Sequence, residues 1–584
     1  MPKIEVNEEF FFALAGKKWE DRDDFEMALS CAKAELDEDS DKSLPPSDRV
    51  LKIELNDTNR PDLWGTAGCA RQVRIYHGAK IPFYGFFSRP GNMQAAKKKI
   101  IVEDSVKKVR PFLAGFIAKG NSVSDAGLRD MIQTQEKLAW NFGRKRRTVS
   151  MGIYRQQGIQ WPVHYKAVDP DSVSFVPLQW EGELTLSEIL KQHPKGKEYA
   201  FIQEHEKMHP LLVDAKNAVL SYPPIINSAD IGAVQVGDTE LFIELTGTDL
   251  QAVTLSASIV ACDFSDQGWT IEPVEINYDY ETDFGKNWTS PFYFQSSVFC
   301  SLSRIEKYLG DSISWKEAVA ALERMGVHAE KSSDVELGTP GIVEGVRAFI
   351  PEYRNDFLHA ADVMEDVMIG RGLASFAPQV PHDFTIGRLT PITLFSRKLK
   401  EILIGLGYQE MIYNYLGSKI SYIDKMCTDG SKIIQIENPM SENYEYVRDS
   451  ILPALLESES VSANAAYPHK IFEIGKVAYK DPSKNYGTAT RQWMGILHAG
   501  AEANFNTAAA LVQTLFYYIG CEYTVEEITE PRFIAGRCAA IVFNGKRIGV
   551  FGEINLQVLE NWNITVPCTA CEFDADSLVK KVLK

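Results

Sequence analysis

Four carboxylates, Asp356, Asp362, Glu365 and Asp366, stand at the spacing D-x5-D-x2-E-D within residues 354–370. On a helix of ~100° per residue the last three fall within an arc of about 100° on one face. Asp356 is placed to cap that helix through the free N–H groups of its first turn. Phe357, Ala361, Met364, Val367 and Met368 take the other face, so the helix is predicted to be dry on one side and anionic on the other. Carboxylates on adjacent turns repel one another unless water or a cation lies between them. Oxygen-only ligands favour a hard ion such as magnesium or calcium over zinc. An ordinary solvated acidic face produces the same pattern.

Other runs also carry residues that could do chemistry. His205-Glu206-Lys207-Met208-His209 sets two histidines one helical turn apart around a glutamate, as zinc hydrolases do. Pro210 follows at once and turns His209 away from helical geometry, and no third ligand is evident, so a chance match in a loop is the better account. Alternation along residues 241–246 puts Phe242, Glu244 and Thr246 on one side of a strand. A carboxylate and a hydroxyl beside an aromatic ring suit either a solvent face or a pocket that recognises a phenol. Arg144, Lys145, Arg146 and Arg147 are four adjacent cations in a chain of net charge −17, and mark either a phosphate contact or a solvated turn.

The elements that must position these groups follow from periodicity. Phe25, Ala28, Leu29, Ala32 and Leu36 recur at helical spacing, and residues 50–55 alternate like a strand. Pro61 suits the first turn of a helix that starts after that strand, with Gly68 and Ala70 allowing close packing. Residues 100–261 alternate apolar runs with helical stretches, including a strand over 148–154 and a rigid turn at Tyr222-Pro223-Pro224. Ser314 and Glu317 form a capping box ahead of the stripe Trp315, Val319, Leu322 and Met325. After residue 385 a helix over 395–406 precedes strands at 432–436, 470–474, 492–497, 539–543 and 549–554.

Length and composition narrow the class. The chain of 584 residues is enough for several domains, and 24% charged residues is ordinary for a soluble globular protein. The charge of −17 argues against wholesale coating of nucleic acid. The apolar run at 10–15 is too short, and too acidic ahead of it, for a signal peptide or membrane span. The nine cysteines are scattered; Cys568 and Cys571 form one close pair without a neighbouring histidine, which fits reduced thiols in a cytoplasmic protein.

The acidic string ending at Gly370 resembles the magnesium-carrying domain of the phenylalanine–tRNA ligase beta-subunit family. Asn59-Arg60-Pro61-Asp62-Leu63 resembles that family's N-terminal domain. The segments around Leu212, Ser221-Tyr222-Pro223-Pro224 and Glu244 to Thr246 resemble the editing domain of its shorter archaeal and eukaryotic form, where the matching positions hydrolyse mischarged tyrosyl-tRNA. The resemblance implies an editing pocket at Leu212, Ser221, Glu244 and Thr246, with glutamate where the family often has aspartate. It implies magnesium at Asp356, Asp362, Glu365 and Asp366, and ATP as substrate of the assembled enzyme. Asn438-Pro439-Met440 and Tyr446-Val447-Arg448-Asp449-Ser450 look like a worn copy of a class II synthetase motif whose partner motif is missing, so this domain is expected to be catalytic-like but inactive, with Arg448 structural.

The expected fold is α+β and multidomain. It comprises an N-terminal α+β domain (1–95), an α/β editing domain (96–290), a winged-helix-like magnesium domain (294–375) and a class II synthetase-like antiparallel sheet with helices (385–584). Expected partners are an alpha subunit, in an α2β2 tetramer, and the tRNA for phenylalanine, with Arg144 to Arg147 as candidate backbone contacts; no DNA and no membrane are expected. The rival readings are a scaffold that has lost editing and a zinc hydrolase acting through His205 and His209.

Overall fold

Strands β1 (Lys3–Asn7), β2 (Ala34–Glu38) and β3 (Val50–Leu55) form the first sheet, in the order β1-β3-β2. Leu51, Ile53 and Leu55 alternate into its core, against α1 (Glu8–Ala15), α2 (Arg22–Leu29) and α3 (Thr66–Tyr76). The helical spacing expected through Leu36 ends at Leu29. Lys33 takes a left-handed conformation (φ 51°) that turns the chain, and Leu36 pairs with Ile53 as a strand residue instead. Pro61 to Leu63 make a single 3-10 turn, and α3 starts only after Gly65. Gly68 of α3 lies so close to the Asp62 carbonyl that a Cβ there would collide with it. The structure is a computed structural model describing residues 3–336, 338, 340–381 and 384–582, and it divides into two units, Met1–Gln379 and Val380–Lys584.

The same unit holds a large mixed sheet. Its strands are β4 (Lys98–Val102), β5 (Phe112–Lys119), β6 (Val149–Arg155), β7 (Val163–Val168), β10 (His209–Val213), β11 (Val219–Tyr222), β12 (Ile226–Asn227), β13 (Glu240–Gly247), β14 (Thr270–Tyr278) and β15 (Asn287–Ser290). The short pair β8 (Ser174–Phe175) and β9 (Leu184–Thr185) stands apart from it. The order is β12-β11-β10-β7-β4-β14-β5-β13-β6, with β15 on β14. Helices α4 (Asp125–Lys137), α5 (Leu186–Gln192), α6 (Pro194–Gln203) and α7 (Leu250–Asp266), which is buried from Val253 to Phe264, surround the sheet. β13 lies between β5 and β6, and from Leu241 to Gly247 every side chain on it is buried, so neither of its faces is a solvent face.

The unit ends in α8 (Leu302–Leu309), α9 (Trp315–Arg324) and α10 (Ala360–Arg371) around the sheet β16-β18-β17, with strands at Ser297–Ser301, Ile342–Phe349 and His328–Val335. The expected Ser314–Glu317 capping box opens α9.

The second unit is built on a seven-stranded sheet, β19-β23-β24-β28-β27-β26-β25, antiparallel except where β19 meets β23. Its strands are β19 (Gln409–Glu410), β23 (His469–Lys480), β24 (Thr488–Ala499), β25 (Thr524–Glu527), β26 (Phe533–Phe543), β27 (Lys546–Ile554) and β28 (Cys568–Asp574). The ribbon β20 (Leu416–Gly417), β21 (Ile434–Gln435) and β22 (Tyr446–Val447) forms a separate small sheet. Helices α11 (Pro391–Gly405), α12 (Leu452–Val461), α13 (Phe505–Ile519), α14 (Leu556–Asn561) and α15 (Asp576–Val582) complete the unit. The predicted strands at 470–474, 492–497, 539–543 and 549–554 lie inside longer ones, whereas only Ile434 and Gln435 of the run 432–436 pair.

Candidate functional site

The large sheet curls until its two ends meet. Tyr154 on β6, at one end, brings its hydroxyl 2.8 Å from Ser221 Oγ on β11, near the other, and 3.1 Å from Glu244 Oε2 on β13. The Arg146 guanidinium donates to the carbonyls of Pro224 (3.2 Å) and Ile225 (3.1 Å), holding the Tyr-Pro-Pro turn against the start of β6. Between these ties lies a cavity of about 440 Å³ lined by Ser221, Glu244, Tyr154, Gly152 and Arg146, with Met131 and Gln135 from α4. Its wall is apolar with a few convergent polar groups, as small-molecule sites are.

The register explains which groups converge. Phe242, Glu244 and Thr246 of β13 stand opposite Tyr154, Gly152 and Ser150 of β6, and directly opposed residues share a face. Leu212 and Ser221 are likewise a register pair on β10 and β11. Of the four residues the sequence singles out, Ser221 and Glu244 line the cavity, while Leu212 and Thr246 are buried and do not. Thr246 Oγ1 is 3.0 Å from Ser150 Oγ and accepts from Arg110 Nε at 3.0 Å. Tyr154, Ser150 and Arg110 belong to this candidate site and were not singled out from the sequence, while Arg146, expected as a tRNA backbone contact, lines the cavity instead. The glycine within strand 148–154 was the available signal, because such a glycine marks a close approach. A Cβ at Gly152 would run into the Tyr154 hydroxyl and the Glu244 carboxylate.

Burial raises Glu244 from 4.5 to about 7, with the Tyr154 hydroxyl, the Arg110 charge and the Gly152 N–H pulling the other way. Arg110 is itself buried, with no carboxylate in ion-pair contact among the described residues, and burial lowers it to about 10, still cationic at neutral pH. Its remaining donors go to the carbonyls of Arg146, Arg147 and Thr246 and to Ser150 Oγ. Arg110 thereby fixes the turn at 144–147, in which Arg144, Lys145 and Arg146 all take positive φ. The turn is neither uniformly solvated nor uniformly free. Arg146 also pairs with Glu136 at 2.9 Å and lies over Tyr199, Lys145 lies over Trp140, and Arg147 over Phe201.

The carboxylates of the acidic helix are arranged otherwise than predicted. Asp356 caps nothing: α10 begins at Ala360, with His359 as its cap, and Asp362 accepts from the N–H groups of Leu358 (2.7 Å) and His359 (2.9 Å). The face is not uniformly anionic, because the fully buried Arg354 guanidinium lies between Asp356 (Nε to Oδ1, 3.0 Å) and Asp366 (Nη1 to Oδ2, 2.6 Å). Glu365 accepts from Lys33 at 2.7 Å. Among the described residues no three His, Cys, Asp or Glu side chains are placed to hold a metal ion. The donor set suits magnesium in kind, all oxygen. In arrangement, Asp362 and Glu365 are bonded through one oxygen each, whereas Asp356 and Asp366 are committed to Arg354.

His205 is exposed beyond α6, while His209 starts β10, is buried, and hydrogen-bonds Tyr222 through Nδ1 at 2.6 Å; the two share no helix. In the second unit Arg448 is buried in a two-pronged bridge to Glu473 (2.7 and 2.8 Å) and donates to the Lys476 carbonyl. Arg532, which the sequence reading passed over, bridges the wholly buried Glu572 and Ser450. No disulfide links the nine cysteines, and no helix among the described residues is long and apolar enough to cross a membrane.

Residues 298–373 match the family described as the tRNA synthetase B5 domain, and residues 377–575 the phenylalanyl tRNA synthetase beta chain CLM domain. A solved N-terminal fragment of the phenylalanyl-tRNA synthetase beta subunit from Pyrococcus horikoshii superposes with TM-score 0.56 at 31% identity, over 64% of this chain and all of the fragment. The matched families and the shared fold define a polypeptide of the aminoacyl-tRNA synthetase class. The phenylalanine–tRNA ligase beta subunit of Treponema pallidum is 45% identical over 99% of this chain and its own full length, and that of Borrelia recurrentis matches equally well. The chain belongs to the phenylalanine–tRNA ligase beta-subunit family, whose ligase activity is that of the assembled enzyme. These relatives are bacterial, so the expected archaeal and eukaryotic label has no support from their sources.

Proposed function

We propose that this chain supports charging of tRNA with phenylalanine by an alpha subunit and itself hydrolyses tyrosyl-tRNA made in error. The observation that carries the editing reading is Glu244, a buried carboxylate on the wall of a cavity large enough for an aminoacyl ester. A ligase pocket shaped for phenylalanine rejects a ring with one added hydroxyl only weakly, by about a hundredfold. A buried acceptor reverses the preference: tyrosine satisfies it and phenylalanine leaves it unpaired, a discrimination of roughly ten-thousandfold or more. No histidine or cysteine is among the described cavity-lining residues, which supports direct attack by a held water rather than a covalent intermediate. Ser221 lies on the cavity wall with Glu244; Thr246 beside it binds Arg110 and Ser150, and Leu212 pairs with Ser221 across β10 and β11.

The test is deacylation of tyrosyl-tRNA by the assembled enzyme. Replacing Glu244 with alanine is expected to spare phenylalanine charging and let tyrosyl-tRNA persist. Unaltered deacylation would refute the assignment and leave a scaffold subunit.

The remaining parts follow from the family reading. The domains run over 1–95, 96–290, 294–375 and 385–584, the third winged-helix-like and the fourth a class II synthetase-like core. That core is inactive, a reading supported by the internal pairing of Arg448 with Glu473. The assembly is an α2β2 tetramer in the cytoplasm using ATP and Mg²⁺. The family reading assigns magnesium to Asp356, Asp362, Glu365 and Asp366; as arranged here the four do not form a metal site, and Asp362 and Glu365, each bonded through one oxygen, are the two that could offer an ion a second. Arg144, Lys145 and Arg147, exposed on their turn, meet the tRNA backbone, and Arg146 holds the cavity wall.

A further inference from the structure

Glu244 already receives one phenol. Tyr154 is wholly buried, its ring stacked on Phe242 with centroids 5.7 Å apart, and its hydroxyl reaches both Glu244 Oε2 and Ser221 Oγ. A phenol carries a single proton, so it cannot donate to both. With Glu244 ionised the chain runs from the Ser221 hydroxyl to Tyr154 and from Tyr154 to the carboxylate; with Glu244 protonated it reverses. An ionised carboxylate offers about four lone-pair sites. Tyr154 occupies one on Oε2, and Gly152 leaves just the room that this pair fills.

We infer that Tyr154 is the positioning residue through which the cavity tells a phenolic ring from an unsubstituted one: its hydroxyl fixes Glu244 so that the carboxylate's remaining lone pairs accept the hydroxyl of the substrate. The inference rests on the editing reading and deepens it. The groups that bear on Glu244 are Arg110 ahead of β5, Tyr154 on β6 and Tyr165 on β7, with Glu136, Arg146 and Lys195 around the cavity. Among these Tyr154 is the one hydrogen-bonded to the carboxylate through its side chain. Removing its hydroxyl removes a donor that favours the ionised form, so Glu244 then titrates higher.

The experiment compares wild-type and Tyr154→Phe enzyme, as assembled complexes, in deacylating tyrosyl-tRNA and phenylalanyl-tRNA across pH 5.5 to 9. The variant is expected to lose about tenfold or more of its preference for tyrosyl-tRNA at neutral pH. The acid limb of its profile should move up by about one unit or more, with activity recovering at high pH and phenylalanine charging unchanged. Should the variant fail to fold, 3-fluorotyrosine placed at position 154, a stronger donor of the same shape, is expected to move the limb to lower pH. An active wild type whose preference and profile survive Tyr154→Phe, or do not respond to the fluorinated residue, overturns the inference alone. A wild type that never deacylates tyrosyl-tRNA overturns the editing reading beneath it.

Discussion

Arg354 and Asp366 meet through a 2.6 Å hydrogen bond in which both partners are buried, and the same guanidinium holds Asp356 on its other side. Burial alone would raise Asp356, yet the charge and hydrogen bonds of Arg354 leave it at about 2. Arg60, paired with Asp62 just ahead of α3, lies 4.0 Å from Asp356, so the network joins the N-terminal sheet region to α10. Replacing Arg354 with methionine strands two buried carboxylates and is expected to cost about 3–5 kcal/mol in urea unfolding. A loss below about 1 kcal/mol would mean that water already reaches the pair.

Glu244 gives the first unit a pH-dependent term of known sign. Its folded value of about 7 lies above the ordinary 4.5, so ionising it costs folding free energy. That cost is absent below about pH 4.5 and complete above about pH 7, where 2.5 units amount to about 3 kcal/mol. Glu244→Gln removes the ionisation while keeping the shape. The variant is expected to gain stability over wild type as pH rises from 5 to 8, read from paired denaturation curves. An equal gap at both pH values would show that the carboxylate titrates normally.

The sequence revealed elements wherever local chemistry acts alone, and failed where distant groups decide. The Ser314–Glu317 box and the long strands of the second unit are written in neighbouring residues and stand as expected. The end of α2 was not legible, because Leu36 continues the helical spacing and the pairing with Ile53 that claims it is a tertiary event. The cap of α10 went to His359 because Arg354 takes Asp356, a competition that spacing does not record. The alternation of β13 correctly put Phe242, Glu244 and Thr246 on one face. Only the curl of the sheet, which brings Ser221 to Tyr154, shows that Glu244 on this face reaches a cavity.

In the second unit the Arg448–Glu473 bridge separates a structural arginine from a nucleotide-binding one. Arg448 lies over Tyr415, and its guanidinium fills the space that a side chain at Gly475 would take. Arg448→Met should destabilise by about 3–5 kcal/mol because Glu473 is left charged and buried, and pairing it with Glu473→Leu should recover most of the loss. Charging of tRNA by the folded, assembled complex should not change. A fall in charging without a fall in stability would instead assign the guanidinium to ATP.

A magnesium titration tests whether the two kinds of carboxylate on α10 act differently. Asp362 and Glu365 are partly exposed and bonded through one oxygen each, while Asp366 is closed in with Arg354. An ion bound at a hundred times its dissociation constant stabilises the folded state by about 2.7 kcal/mol. Magnesium at that excess is expected to raise the melting midpoint of the assembled enzyme, and Asp362→Asn with Glu365→Gln is expected to abolish the rise. Asp366→Asn behaves differently: it leaves Arg354 short of a counter-charge and lowers the midpoint with or without the ion. A magnesium response that survives the double substitution would place the ion elsewhere in the assembly. A response abolished only by Asp366→Asn would mean that the guanidinium leaves when the metal arrives.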